Sequence, residues 1–365
     1  MVTTLLGNPG IRRGTLTYVT DTNEINSVGV VGLGTMGAGI AEVFAKAGIK
    51  VTGVEAEQAA VTRGRDTIDK SLDKQVSRGR LDATQRDAVA AALTVTTDFD
   101  ALADVDLVIE AVPERMEIKR ELFTRLDKVC RPSTILATNT SSLSVTDIAQ
   151  TTMRGAKVIG MHFFNPAPVM KLVEVISTVH TDPGVVDRVI ALAQRLGKTV
   201  VAVGDNPGFV VNRLLLGYLN HAAKLLDANK ATVEDIDAAM RTTGLPMGPL
   251  QLADVIGLDT CVEILDVIHR DSNAPRHEVA NVLRDLVAQG KVGKKSGHGF
   301  YDHTQALPKA EPEIERVQAV IDELVHPHVA EAVSMADSGY ASREDIDTAM
   351  KLGCGYPEGI FALIQ

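Results

Sequence analysis

The sequence predicts an α/β protein: an N-terminal Rossmann-type dinucleotide-binding domain, then an all-α C-terminal domain and a partial helical repeat. Three observations predict it. Short apolar runs alternate with helical patterns through the first half. A glycine-rich turn, Gly32-Leu33-Gly34-Thr35-Met36-Gly37, joins the first such run to the first helix. In the second half, ATVEDIDAAM (231–240) returns as ASREDIDTAM (341–350), an internal repeat.

Residues 1–26 lack the apolar core of a signal peptide and read as a flexible leader. Ser27–Val31 is the first strand, AGIAEVFAKAG the helix after the glycine turn, and Lys50–Val54 a second strand ending in Glu55. A G-x-G-x-x-G turn after a strand, before a helix, with an acid at the end of the next strand is a dinucleotide fingerprint. Gly32 permits the tight turn, Gly34 lets the backbone approach a pyrophosphate and Gly37 lets helix pack on strand. The carboxylate of Glu55 suits ribose hydroxyls and repels a 2′-phosphate, so the expected cofactor is NAD. A glycine turn used for packing alone is the plainer alternative. Residues 56–93 read as a charged, solvated helical hairpin. Val105–Val112 is a buried strand, 116–129 a helix, and Thr134–Thr138 a strand followed by Asn139-Thr140-Ser141-Ser142. Glu114, Ser141 and His162 all fall at strand ends, where open α/β sheets bind ligands. For Ser141, capping the helix that follows is an equal rival.

The segment 161–176, MHFFNPAPVMKLVEVI, is the most informative. An apolar run (158–161) leads into His162, Pro166 and Pro168 force a loop, and Val169–Ile176 reads as a strand carrying Glu174. A buried acid needs a partner, and His162 on the facing stretch is the nearest candidate. A carboxylate on one imidazole nitrogen makes the other a general base; a core histidine beside an unrelated acid is the alternative. A short strand over 200–203 and the turn Asp205-Asn206-Pro207 then open a helix over 209–229 with Asn212 near its start, where an end-cap role rivals a catalytic one. Helices continue to about 290, followed by the glycine-rich KVGKKSGHGFY (291–301). The domains divide as 27–206, 207–302, a polar linker 303–313 and a truncated repeat 314–365, which reads as structural.

Composition excludes several functions. The chain is 45% hydrophobic and 23% charged with net charge −10 and no basic cluster, so nucleic acid is not an expected partner. No apolar run approaches a membrane span. Cys130, Cys261 and Cys354 are scattered without metal-ligand spacing, which suits a reducing, cytoplasmic compartment.

Taken in order, GLGTMGAGIA, EAVPE, NTSSLS, HFFNPAPVMKLVEV, DNPGFVVNRLL, MGPLQLADVIGLD and KKSGHGFY resemble the 3-hydroxyacyl-CoA dehydrogenase family, in its short-chain 3-hydroxybutyryl-CoA type. The resemblance spans about 27–301, with a half-length echo in 314–365. It implies NAD-dependent interconversion of an (S)-3-hydroxyacyl-CoA and its 3-oxo form, as in β-oxidation, with His162 as base, Glu174 orienting it, and Ser141 and Asn212 holding the reacting oxygen. It further implies NAD contacts at Glu114, Lys119, Ser141, Asn165 and Lys295, coenzyme A contacts at Ser71 and Arg78, and a homodimer through the helical domain. The chain departs from the family pattern at Arg78 (usually lysine), His221 (usually glutamate) and Leu245 (usually histidine), and in the truncated repeat. That repeat could dock where a partner's helices would sit. Three other readings remain: the same hydride chemistry on a glyceryl group carried by an acyl carrier protein in polyketide extender-unit synthesis, a non-catalytic NAD-binding protein, and a dehydrogenase of another hydroxy acid such as a sugar acid.

Overall fold

The computed structural model describes residues 24–306 and 314–364, so most of the leader and of the linker lies outside the described residues. The elements in chain order are β1 (Ser27–Val31), α1 (Thr35–Lys46), β2 (Lys50–Val54), α2 (Gln58–Ser77), α3 (Ala83–Ala91), β3 (Leu93–Thr96), β4 (Leu107–Glu110), α4 (Met116–Val129), β5 (Ile135–Thr138), α5 (Val145–Ala149), β6 (Val158–Phe163), β7 (Leu172–Ser177), α6 (Pro183–Arg195) and β8 (Thr199–Gly204). The helical part follows: α7 (Val211–Asp227), α8 (Val233–Thr242), α9 (Pro249–Ile256), α10 (Leu258–Ser272), α11 (Asn281–Ala288), α12 (Ile314–Asp337) and α13 (Arg343–Cys354).

The strands form one sheet in the order β3-β2-β1-β4-β5-β6-β7-β8. The first six are parallel, in the doubly wound order whose reversal between β1 and β4 creates a ligand crevice. β7 then runs antiparallel to β6, and β8 parallel to β7. Side chains alternate between two cores, as the pleat requires. Val28, Val30, Leu107, Ile109, Ile135 and Ala137 face α1 and α2. Val31, Val108, Leu136, Leu172 and Ile176 face the other way, into a core continuous with α7 through α13.

Several expectations shift. β3 starts at Leu93, the last residue read as helical hairpin, and runs into a stretch read as no element; its LTVT is too short for periodicity to reveal. The Glu174 strand starts at Leu172 rather than Val169. Val169 and Met170 instead donate to the Pro166 carbonyl in a turn, and Val169 stays 63% exposed. The helix expected over 209–229 runs Val211–Asp227.

The repeat is structural as well as textual. Thr232 Oγ1 caps α8 by accepting from the Asp235 amide, and Ser342 Oγ caps α13 by accepting from that of Asp345. Gly248 lies against Asp237 as Gly359 lies against Asp347. α12 packs on α7 and α8, and α13 on α7, β7 and β8. Glu331 of α12, nearly buried, accepts from Arg213 Nε at 2.7 Å and also pairs with Arg276.

This region should weaken in acid. His328 of α12 lies buried between Tyr218 and Tyr356, and burial lowers its pKa to about 3; burial also lowers that of His277, to about 4. Unfolding frees both to bind protons near pH 6.5. Their contribution is therefore complete above about pH 6.5 and is lost as pH falls towards the folded values. Urea unfolding is expected to show stability dropping by more than about 1 kcal/mol between about pH 7 and about pH 5, with a shallower slope in His328→Gln. A slope unchanged by that substitution would show that His328 does not titrate on unfolding.

Candidate active site

A cavity of about 530 Å³ opens past the ends of β1, β4, β5 and β6, roofed by α7, α9 and α10. Its polar wall is Glu114, Asn139, Ser141, His162, Asn165 and Asn212.

The β6–β7 register sets His162 directly opposite Glu174, on the face covered by α7. His162 Nδ1 and Glu174 Oε2 are 2.7 Å apart. A carboxylate can only accept, so Nδ1 carries the proton and Nε2 keeps its lone pair for a ligand. Glu174 is wholly buried, which would cost several kcal/mol for an unpaired ion. Its other oxygen accepts from the Val210 and Val211 amides, at 3.1 and 3.0 Å, where α7 begins. The start of α7, with its positive dipole end, thus completes the carboxylate's shell. Phe164 and Phe209 wedge the imidazole, with ring centroids 4.5 and 5.8 Å away.

Ser141 is held from two sides. Glu114 Oε1 accepts from Thr140 Oγ1, the Ser141 amide and hydroxyl, and the Ser142 amide, at 2.6 to 3.2 Å. Asn212 Nδ2 donates to the Ser141 carbonyl at 2.9 Å, tying α7 to the loop after β5. Neither capping rival survives: Ser144, not Ser141, caps α5, and Asn212 lies inside α7 with its amide on Ser141. Behind Glu114, Lys119 is buried with Nζ 2.5 Å from Glu110 and 3.1 Å from Glu114. Burial opposes charge on both Glu114 and Lys119. Their mutual attraction, with Glu110 and the Thr140 and Ser141 donors, outweighs it, lowering the Glu114 pKa and raising that of Lys119.

The glycine turn fits a dinucleotide. Gly32 has φ +86°, and a Cβ there would lie 2.8 Å from the Ala111 carbonyl oxygen. A Cβ on Gly34 would meet nothing within 4 Å, so the backbone is bare at that point. No side chain caps α1, leaving its first N–H groups to an anion. Thr35 is exposed and Met36 lines the cavity, whereas Leu33 is buried and offers only its backbone. The Leu33 amide donates to Glu55 Oε1 at 2.5 Å, which sets the Glu55 carboxylate beside the turn.

Four expected NAD and coenzyme A contacts stand outside the lining. Lys119 is 1% exposed and reaches the cavity only through Glu114. Lys295 pairs with Asp259 at 2.7 Å. Ser71 and Arg78 lie on and just after α2, with Arg78 exposed. Conversely, sequence reasoning missed Asn139, whose side-chain oxygen accepts from the Phe163 amide, and Gly353 and Cys354, which bring the half-repeat into the cavity wall. Asn139 was recoverable from its place just past a strand; Gly353 and Cys354 carried no local signal. Among the described residues, no His, Cys, Asp and Glu cluster could hold a metal, and no helix is long and apolar enough to cross a membrane.

Known proteins match both the sheet-bearing and the helical part of this chain. Residues 27–206 match the model for the 3-hydroxyacyl-CoA dehydrogenase NAD binding domain. Residues 208–303 and, separately, 320–365 match that for the 3-hydroxyacyl-CoA dehydrogenase C-terminal domain. A 3-hydroxybutyryl-CoA dehydrogenase of Mycobacterium tuberculosis is 46% identical over 285 residues, covering 77% of this chain and 99% of that protein. A probable 3-hydroxybutyryl-CoA dehydrogenase of Bacillus subtilis is 43% identical, with the same coverage. The crystal structure of an Escherichia coli 3-hydroxybutyryl-CoA dehydrogenase superposes with TM-score 0.86 at 33% identity, covering 93% of this chain and 91% of that one.

Proposed function

The chain belongs to the 3-hydroxyacyl-CoA dehydrogenase family of NAD-dependent oxidoreductases, and we propose that it interconverts a short-chain (S)-3-hydroxyacyl-CoA and the 3-oxoacyl-CoA. The observation that carries this reading is the His162–Glu174 pair, buried and fully hydrogen-bonded, presenting Nε2 to a cavity beside a dinucleotide turn. Short-chain coenzyme A thioesters are named in the relatives.

In the oxidative direction His162 Nε2 takes the hydroxyl proton as the carbinol C–H bond breaks. The hydride leaving that carbon would go to NAD, which the glycine turn would hold. Glu174 holds the ring and stabilises the imidazolium that forms. Ser141, anchored through its amide on Glu114, turns its one hydroxyl proton from Glu114 to the reacting oxygen, and Asn212 Nδ2 adds its second N–H, the first being held by the Ser141 carbonyl. Gly32, Gly34, Thr35, Met36 and Gly37 would hold the pyrophosphate, Glu55 the ribose, and Glu114 and Asn165 the nicotinamide side. Lys119 acts through Glu114. Lys295, Ser71 and Arg78 serve as outlying contacts to the cofactor and to coenzyme A. The enzyme works in a reducing compartment, and its place is in fatty-acid β-oxidation. α12 already covers α7 and α8, so a homodimer uses another face of the helical domain.

The test follows absorbance at the NADH band with acetoacetyl-CoA and, in parallel, with a glyceryl acyl carrier protein. Rapid NADH oxidation by acetoacetyl-CoA is expected. Turnover of the carrier protein alone would transfer the same chemistry to extender-unit synthesis, and silence on both with NAD still bound would favour a non-catalytic role.

A further inference from the structure

We propose that the C-terminal half-repeat is a fixed wall of the substrate cavity, and that Cys354 at the end of α13 limits how long an acyl chain the enzyme accepts. The inference rests on the thioester reading above and deepens it.

The cavity has two kinds of surface. Around His162 it is polar. Away from there it is mainly apolar: Val211 and Leu215 lie one helical turn apart on α7, Leu252 and Ile264 line it from α9 and α10 with Thr260 the one polar side chain among them, and Cys354 adds to it from α13. From Val211 to Leu216, α7 advances about 7.5 Å. A substrate with its carbinol at His162 and its oxygen on Ser141 and Asn212 has this apolar stretch beside it for carbons beyond the reacting one. Burial pushes the Cys354 thiol pKa far up, so it stays neutral and presents a small apolar surface.

The wall cannot swing aside. A Cβ on Gly353 would lie 3.1 Å from both Leu172 Cδ2 and Val211 Cγ2, so α13 meets β7 and α7 more closely than a side chain there would comfortably permit. Tyr340, just before α13, donates its hydroxyl to the Gly204 carbonyl at 2.9 Å. After α13, the Phe361 amide donates to Asp347, folding the chain end back onto the helix. The Glu331 pairing with Arg213 and Arg276 fixes α12 behind it. With its walls fixed, the cavity discriminates by volume, and in such a pocket one methylene is worth roughly 10- to 200-fold in kcat/KM.

The experiment measures kcat/KM for the 3-oxoacyl-CoA series of four, six and eight carbons in wild type, Cys354→Ala and Cys354→Phe, with thermal unfolding of each protein. Cys354→Phe is expected to lower the eight-to-four-carbon ratio by about tenfold or more, and Cys354→Ala to raise it several-fold. The two opposite shifts together exclude a general loss of fold, and if the phenylalanine variant does not fold, the alanine variant decides alone. Ratios unmoved in folded variants, with wild type active on acetoacetyl-CoA, would overturn the inference and leave the proposed function standing. Wild type inactive on the whole series would instead overturn the function on which the inference rests.

Discussion

Substituting His162 by glutamine is expected to lower kcat by roughly 10²–10⁴, the usual contribution of a positioned general base. Glutamine keeps most of the volume and an amide donor for Glu174, so the melting temperature should move by only a few degrees. The companion variant, Glu174→Gln, is the sharper test because it leaves His162 in place. A glutamine oxygen can still accept from the Val210 and Val211 amides. Its nitrogen, however, donates towards Nδ1 where the carboxylate accepted. That drives the ring proton to Nε2, and the nitrogen facing the substrate can no longer take a proton. A loss of about 10⁴ in kcat is the scale seen where the wrong tautomer is imposed on a carboxylate–imidazole pair. Because the two act as a unit, the double variant should be no slower than the worse single variant. Losses that multiply would mean that Glu174 supports the fold rather than the base. Glu174→Ala is different in kind: it strips the acceptor from three buried donors and should cost about 3–5 kcal/mol of stability.

Much of this site was readable because its residues announce a physical conflict. Glu174 is an acid in an apolar strand, and a conflict of that kind has few resolutions. Gly32, Gly34 and Gly37 sit where a side chain would collide or intrude, which spacing alone reveals. The sequence put His162 and Glu174 on facing stretches either side of a proline loop, but not in the exact register that sets them opposite each other; that register depends on the pairing of the whole strands and not on local pattern. Nor could it distinguish a polar residue lining a cavity from one bracing it. Lys119 and Glu114 lie five positions apart, yet only Glu114 reaches the cavity wall. The half-repeat was legible as a copy of α7 and α8, but not as a wall. Which face α13 presents to the sheet is decided by tertiary contacts such as Gly353 with Leu172, with no local signature.

The glycine turn supplies the second large effect, because two of its glycines should fail in different ways. At Gly37 an added Cβ would lie 1.7 Å from the Gly32 carbonyl oxygen, a backbone atom that cannot rotate away. Gly37→Ala must therefore push α1 off β1 and break the turn. Overpacking costs typically about 1–3 kcal/mol and occasionally more; a collision with backbone this deep belongs at or beyond the top of that range. Low soluble yield or a melting temperature lower by many degrees is expected. At Gly34 the added methyl meets nothing within 4 Å, and the residue precedes the helix in an extended conformation with φ −63° that alanine adopts freely. Gly34→Ala should fold with an almost unchanged melting temperature. Its methyl then occupies the space through which a pyrophosphate reaches the first turn of α1. Calorimetric titration should show NAD binding weakened by tenfold or more, with ligand-induced thermal stabilisation reduced in step. The opposite pattern, a destabilised Gly34→Ala or one that binds NAD as wild type does, would place the phosphates elsewhere. If both variants lost stability equally, the turn would be a packing device and the bare backbone at Gly34 incidental.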